Sequence, residues 1–309
     1  MMIRFAIVVG ILMVALPAQA SLRVVASMPD YAALAKAVGG DHVEVTSLAK
    51  ASQDPHYVDA KPSYVVALNR ADLVIFNGLE LEVGWMPTLL VQARNPNLAS
   101  GTPGHLDVGT VIQSLLDVPA GPIDRSMGDV HPGGNPHYSY DPLRMAELTN
   151  VIAVRLSHLD PANASSYTAN GEALKKELVA VVKAARAKFD ALPARSKRVV
   201  DYHKSFAYLF ETLGIEVVAR VEPKPGVAPS PGQVAQVVST IKREGIRVLV
   251  QEVYNPARVA KTIAKITGAS LVILPGGVEF SDNQTYTQRI EETIEMIYNA
   301  CKQGVSHDG

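Results

Sequence analysis

Apolar and polar positions along this chain follow two rhythms that alternate from Leu22 onward. Short β-branched runs read as strands: Leu22-Arg23-Val24-Val25-Ala26, Val43 to Leu48, Leu73-Val74-Ile75-Phe76, Arg198 to Tyr202, Val248 to Gln251 and Ser270 to Leu274. Between them, apolar residues recur every three or four positions over Tyr31 to Val38, Ser63 to Ala71 and Pro256 to Thr267, which predicts helices. Strand, helix and strand in repeated succession predict an α/β protein whose mostly parallel sheets are covered by helices.

One stretch breaks the alternation. Asp160 to Leu192 keeps a helical period throughout and predicts a single helix of about 30 residues, roughly 45 Å long at 1.5 Å per residue. Gly171 near its start leaves open a reading as two shorter helices. Either way the stretch divides the chain. The expected organisation is an N-terminal lobe over residues 21–159, a linking helix over 160–192 and a C-terminal lobe over 193–309. Val118 to Asn135, rich in proline and glycine and without apolar period, predicts a loop.

The first 20 residues have their own logic. A lone Arg4 precedes the apolar run Phe5 to Leu16, which ends in Pro17-Ala18-Gln19-Ala20. That is the three-part pattern of a secretory signal, with cleavage expected after Ala20. No cysteine stands just after that point to carry a lipid anchor. No later apolar run reaches membrane-spanning length, so the mature chain is expected not to span a membrane. Charge is balanced, 29 basic against 30 acidic residues, which argues against a nucleic-acid partner. The single cysteine, Cys301, excludes an intramolecular disulfide, so the fold must rest on packing. A monomer is expected.

The candidate chemistry lies in the histidines. Of the eight, His56 (Asp54-Pro55-His56), His137 (Asn135-Pro136-His137) and His203 (Tyr202-His203-Lys204) share one setting: each follows a strand or loop and shortly precedes a helical pattern. Open α/β sheets place their ligands in such carboxyl-end loops. A ring near a helix N-terminus is disfavoured as imidazolium, and neutral imidazole binds metal. The prolines before His56 and His137 restrict the chain ahead of the ligand. A carboxylate would complete a tetrahedral zinc shell, and Asp282, in the loop after the last predicted strand, is the first choice; Glu279 and Glu252 compete. Asp201 and Asp141 are candidates to orient ring nitrogens, although Asp141 before Pro142 also suits a helix cap. His131 is read as a transient ligand that passes metal inward or, in preference, as a solvated loop residue, and His42, His105, His158 and His307 as structural or exposed.

These motifs, with Asn77-Gly78-Leu79-Glu80-Leu81-Glu82, Asp141-Pro142, Phe206 with Tyr208, Pro229-Ser230-Pro231 and Phe280-Ser281-Asp282, resemble the zinc- and manganese-specific solute-binding proteins of bacterial ABC importers over nearly the full length. The resemblance implies two lobes joined by one long helix. It also implies a metal held by His56 and His137 from the first lobe and His203 and Asp282 from the second. It implies a periplasmic location, a cognate ABC permease in the inner membrane as partner, and binding without catalysis. Some relatives have a longer histidine-rich loop before the second ligand; here that stretch offers only Asp124, Asp129 and His131. Zn(II) is the expected ligand, because imidazole suits zinc and manganese-selective relatives often have glutamate where His203 stands; Mn(II) is the alternative. The rival function is a secreted zinc hydrolase that uses the three histidines with water in the fourth position, against which stands the lack of a His-Glu-x-x-His signature.

Overall fold

The computed structural model describes residues 21–121, 128, 130–224 and 226–306; the expected signal segment, residues 1–20, lies outside the described residues, as do Asp124 and Asp129. The chain forms two α/β lobes, each built on a four-stranded, all-parallel sheet. In the first, β1 (Leu22–Ala26), β2 (Val43–Ser47), β3 (Leu73–Phe76) and β4 (His105–Asp107) lie in the order β2-β1-β3-β4. In the second, β5 (Arg198–Asp201), β6 (Glu216–Arg220), β7 (Val248–Glu252) and β8 (Ser270–Leu274) repeat that order as β6-β5-β7-β8.

Nine helices among the described residues cover the sheets: α1 (Pro29–Gly39), α2 (Pro62–Arg70), α3 (Met86–Ala93), α4 (Pro142–Leu159), α5 (Ala164–Asp190), α6 (Ala207–Leu213), α7 (Pro231–Glu244), α8 (Ala257–Thr267) and α9 (Tyr286–Ser306). Five of them, α1 to α4 and α7, carry proline in their first turn, where its missing N–H costs nothing. Alternate side chains of each strand go to opposite layers. Val24 and Ala26 join the core under α1 and α4, whereas Val25 meets Val74, Leu68 and Leu89 on the α2 and α3 side. The second lobe divides in the same way, Val199 and Val250 inward, Val200 and Leu249 toward α7 and α8.

The inward core is continuous between the lobes, and α5 runs through it. Its buried residues, Tyr167, Gly171, Leu174, Leu178, Val182, Ala185 and Phe189, are spaced by threes and fours and make one stripe. The helix is not broken at Gly171. A Cβ there would come within 3.1 Å of Ala153 Cβ and 3.3 Å of the Thr149 carbonyl oxygen, so the glycine serves close packing of α5 on α4. Further contacts join the lobes: Tyr286 OH donates to Ser139 O at 2.9 Å, and Arg289 of α9 pairs with Asp30 of α1 at 3.6 Å, both side chains fully buried.

Candidate metal centre

Three loops bring the histidines together. The segment after β2 carries His56, the segment before α4 carries His137, and the turn after β5 carries His203. The ring centroids lie 5.3 Å apart for His56 and His137, 5.0 Å for His137 and His203, and 6.0 Å for His56 and His203. One ring nitrogen from each lies within 4.8 Å of the others. The Nε2 atoms of all three are buried and hydrogen-bonded to no protein group among the described residues.

The other ring nitrogen explains why Nε2 faces inward. His56 Nδ1 lies 2.7 Å from Asp54 Oδ1, His137 Nδ1 2.9 Å from Asn135 Oδ1, and His203 Nδ1 2.7 Å from Glu222 Oε2. Each partner is an acceptor for an Nδ1–H, which fixes the tautomer with its lone pair on Nε2. In the two Asx-Pro-His motifs the same side chain also accepts the histidine's own backbone N–H, at 3.0 Å for Asp54 and 2.9 Å for Asn135. Backbone and ring are thus tied to one oxygen, and the Trp85 indole holds the Pro55 carbonyl at 2.9 Å. Asn135 reaches the other lobe as well, since its amide donates to the Lys204 carbonyl at 2.9 Å.

Electrostatics favour a neutral His137 ring beside an ionised Asp54. Burial, reinforced by the neighbouring histidines, holds the His137 imidazole well below its ordinary range. Burial works against charge on Asp54, yet its hydrogen bonds from His56 keep the carboxyl below its usual value. Farther in, burial pushes the Asp201 and Glu252 carboxyls well above theirs.

The fourth expected ligand lies elsewhere. Asp282 is exposed in a short 3-10 turn, its Oδ1 accepting from Ser281 Oγ at 3.3 Å, and it is not among the donors gathered with the histidines. The path of the loop gives the reason. Arg289 Nη2 holds the Pro275 carbonyl at 3.3 Å, Tyr140 OH holds that of Gly276 at 3.3 Å, and Gly277 lies against Asp30 and Pro29. The chain leaving β8 therefore packs onto α1. Glu252 is buried beneath the site with Oε2 accepting from Asn255 at 2.6 Å; Glu279 is exposed in the loop beside Asp282.

His131 departs from the preferred solvated reading and stands where the other reading, a ligand that passes metal inward, would have it. Its half-buried ring stands 5.5 Å from His56 and 6.5 Å from His137 and lines the same pocket with Asp117 and Lys204. Nothing in its breaker-rich segment signals that placement. The orienting partners also differ from those expected. Asp201 does not reach a ring nitrogen, and Asp141 caps α4 through Leu143 N at 3.2 Å while pairing with Arg144 at 2.5 Å. Glu222 could have been anticipated only from the strand order, because β6 neighbours β5.

Two parallel-sheet lobes around a buried histidine cluster define a metal-binding protein of the two-lobed, helix-linked class. The chain belongs to the family described as zinc-uptake complex component A, periplasmic, whose model matches residues 24–300. This is a family of ABC transporter substrate-binding proteins rather than enzymes, and that role implies a permease partner. The chain is 25% identical over 272 residues to the iron-binding protein YfeA of Yersinia pestis, covering 85% of this chain and 81% of that one. Among solved structures, a crystal structure of ZnuA superposes with a TM-score of 0.74 at 22% identity, over 91% of this chain and 99% of the other. The SBP FpvC from P. aeruginosa in complex with Ni2+ gives 0.72 at 26% identity, over 92% and 97%. No helix among the described residues is long and apolar enough to cross a membrane.

Proposed function

We propose that this chain is a monomeric periplasmic receptor that captures Zn(II) through the Nε2 atoms of His56, His137 and His203 and delivers it to an ABC permease in the inner membrane. The observation that carries this reading is the convergence of three buried Nε2 atoms whose rings are each oriented by an acceptor on Nδ1. Three neutral imidazoles are a borderline-soft donor set. They suit zinc, and also iron or nickel, better than manganese, which favours oxygen ligands. Asp54 and Glu222 supply negative charge behind two of the rings, which raises their basicity toward a cation. Tetrahedral zinc then has one further position, open to water or to the neighbouring His131 ring.

Native mass spectrometry of the exported chain, purified from the periplasm without added metal, tests metal identity, export and oligomeric state together. The expected species is a monomer that starts at Ser21 and carries one zinc ion. Equal metal content in a His56→Ala/His137→Ala/His203→Ala variant, or a manganese-loaded wild type, would overturn the reading.

A further inference from the structure

The segment Asn77 to Glu82, which carries part of the family resemblance, contributes no donor to the histidine cluster. Its place in the fold gives it another task. Asn77 follows β3 and is fully buried, as are Ser27, Tyr31 and Tyr138 around it. Its side-chain amide donates to the Pro136 carbonyl at 3.1 Å, and its backbone carbonyl accepts from the Tyr138 hydroxyl. Pro136 and Tyr138 are the two neighbours of His137 in the chain. Asn77 therefore grips the backbone before His137 and the side chain after it.

The grip is itself held in place. Asn77 N donates to Glu82 Oε1 at 2.7 Å and Gly78 N to Glu82 Oε2 at 3.1 Å, while Ser27 Oγ donates to Oε1 at 2.6 Å. The Tyr31 hydroxyl donates to Asn77 Oδ1, the second amide hydrogen goes to the Gly78 carbonyl at 3.1 Å, and Gly109 N also donates to Asn77 O at 2.8 Å. Every polar group of Asn77 is thus engaged, so it has no second orientation of equal energy. Gly78, Leu79 and Glu80 follow at φ of 77°, 50° and 63°. Three successive left-handed residues, two of them not glycine, persist only where surrounding bonds over-determine them. At Gly78 a Cβ would fall 1.9 Å from Asp107 Oδ1, so a side chain there would have to displace Asp107 as well as strain the backbone.

We infer that Asn77, held by Glu82, is a positioning residue for the metal centre: it fixes the Pro136-His137-Tyr138 segment so that the His137 ring meets the cation with the other two rings already in place. The inference rests on the proposed role of His137 as a ligand. It adds to the Asn135 contact, which sets the ring's tautomer, a separate device that sets where the ring stands. An outer partner of this kind alters affinity without touching the ion, and loss of such partners typically costs 10- to 100-fold in metal binding.

The test uses Asn77→Ala and Tyr138→Phe, the second removing one hydroxyl and leaving the ring, with wild type and His137→Ala as references. Zinc dissociation constants come from competition with a chromophoric chelator. The visible spectrum of the Co(II)-loaded protein reports ligand geometry, and the thermal midpoint of the metal-free form reports folding. Both variants are expected to bind zinc 10- to 100-fold more weakly and to show a shifted Co(II) band. Unchanged zinc affinity and an unchanged Co(II) spectrum in Tyr138→Phe, whether or not its melting point falls, would overturn the inference, because a merely structural bond moves only the melt. Wild type and His137→Ala binding zinc equally would instead overturn His137 as a ligand, and this inference with it.

Discussion

The buried pair between Asp30 and Arg289 offers the sharpest test of how the two lobes are joined. Asp30 lies in the first turn of α1 and Arg289 in the first turn of α9; both are inaccessible to solvent, 3.6 Å apart, and the guanidinium also stacks 4.2 Å from the centre of the Tyr140 ring. Asp30→Asn removes the anion and leaves a cation that cannot lose its proton in a protein interior. Breaking a buried pair from one side costs about 3–5 kcal/mol. With an unfolding entropy of about 0.6 kcal/mol/K, from ~2.1 cal/mol/K per residue over some 280 ordered residues, a loss of ~4 kcal/mol lowers the midpoint by about 7 °C. Arg289→Met is expected to cost less, because the stranded carboxyl can take up a proton. Burial already raises its pKa, and the guanidinium only partly offsets this. A raised carboxyl pKa means the folded state holds a proton the unfolded chain has released, so stability falls as pH rises; the deficit of Arg289→Met should therefore grow from pH 5 to pH 8. Asp30→Asn/Arg289→Met should lose less than the sum of the single variants. Urea unfolding of the four metal-free proteins at pH 7 measures the cycle. A cost below ~1 kcal/mol for Asp30→Asn, or strict additivity in the double variant, would refute the reasoning.

Other outcomes follow from the same geometry. Asp54→Asn and Glu222→Gln, which weaken the acceptors behind His56 and His203, should each reduce zinc affinity 10- to 100-fold in competition titration with little change in the metal-free melting point. Asp282→Ala should leave zinc affinity within about threefold of wild type, since a loss beyond the ~1.4 kcal/mol of a tenfold change would mean that the β8 loop reaches the ion after all. Burial raises Glu82 from 4.5 to about 7, so the folded protein keeps a proton that the unfolded chain loses above pH 4.5. Its contribution is present below that pH and is lost as pH rises to 7, amounting to about 3 kcal/mol at 1.36 kcal/mol per unit; the slope of unfolding free energy against pH should flatten over that window in Glu82→Gln. Gly171→Val should destabilise by about 1–3 kcal/mol through overpacking against Ala153 and Thr149, measured by urea unfolding.

What the sequence discloses about this fold is set by how far each element depends on its neighbours. Strands β3 and β8 are read to the residue, and β5 and β7 to within one, because β-branched runs bounded by turns need no tertiary context. The strands left unmarked, β4 and β6, are edge strands: β4 has three residues, and β6, although it carries Val217-Val218-Ala219, begins exposed and stays half-buried. Gly171 misleads for a related reason. By propensity a glycine weakens a helix, but here the close approach of α4 selects it.

The histidine cluster divides along the same line. His56 and His137 are legible because Asx-Pro-His is a self-contained device: the Asx oxygen lies two residues before the ring and binds it locally. For His203 the local setting identifies the ring but not its partner, since Glu222 lies 19 residues on and becomes adjacent only when β6 pairs with β5. Asp282 and His131 show the limit. Both sit in loops with suitable side chains, and which of them approaches the cluster is decided by tertiary anchors, Arg289 and the sequence-remote Tyr140 in one case and the seam between the lobes in the other. Local motifs thus specify the three rings and the tautomers of His56 and His137, whereas strand pairing supplies the partner of His203 and the packing of α1, α4, α5 and α9 specifies which other side chains can reach the cluster. A transplanted Asx-Pro-His motif should therefore orient a histidine on any compatible loop, whereas the joined lobes bring one nitrogen of each of His56, His137 and His203 within 4.8 Å of the others.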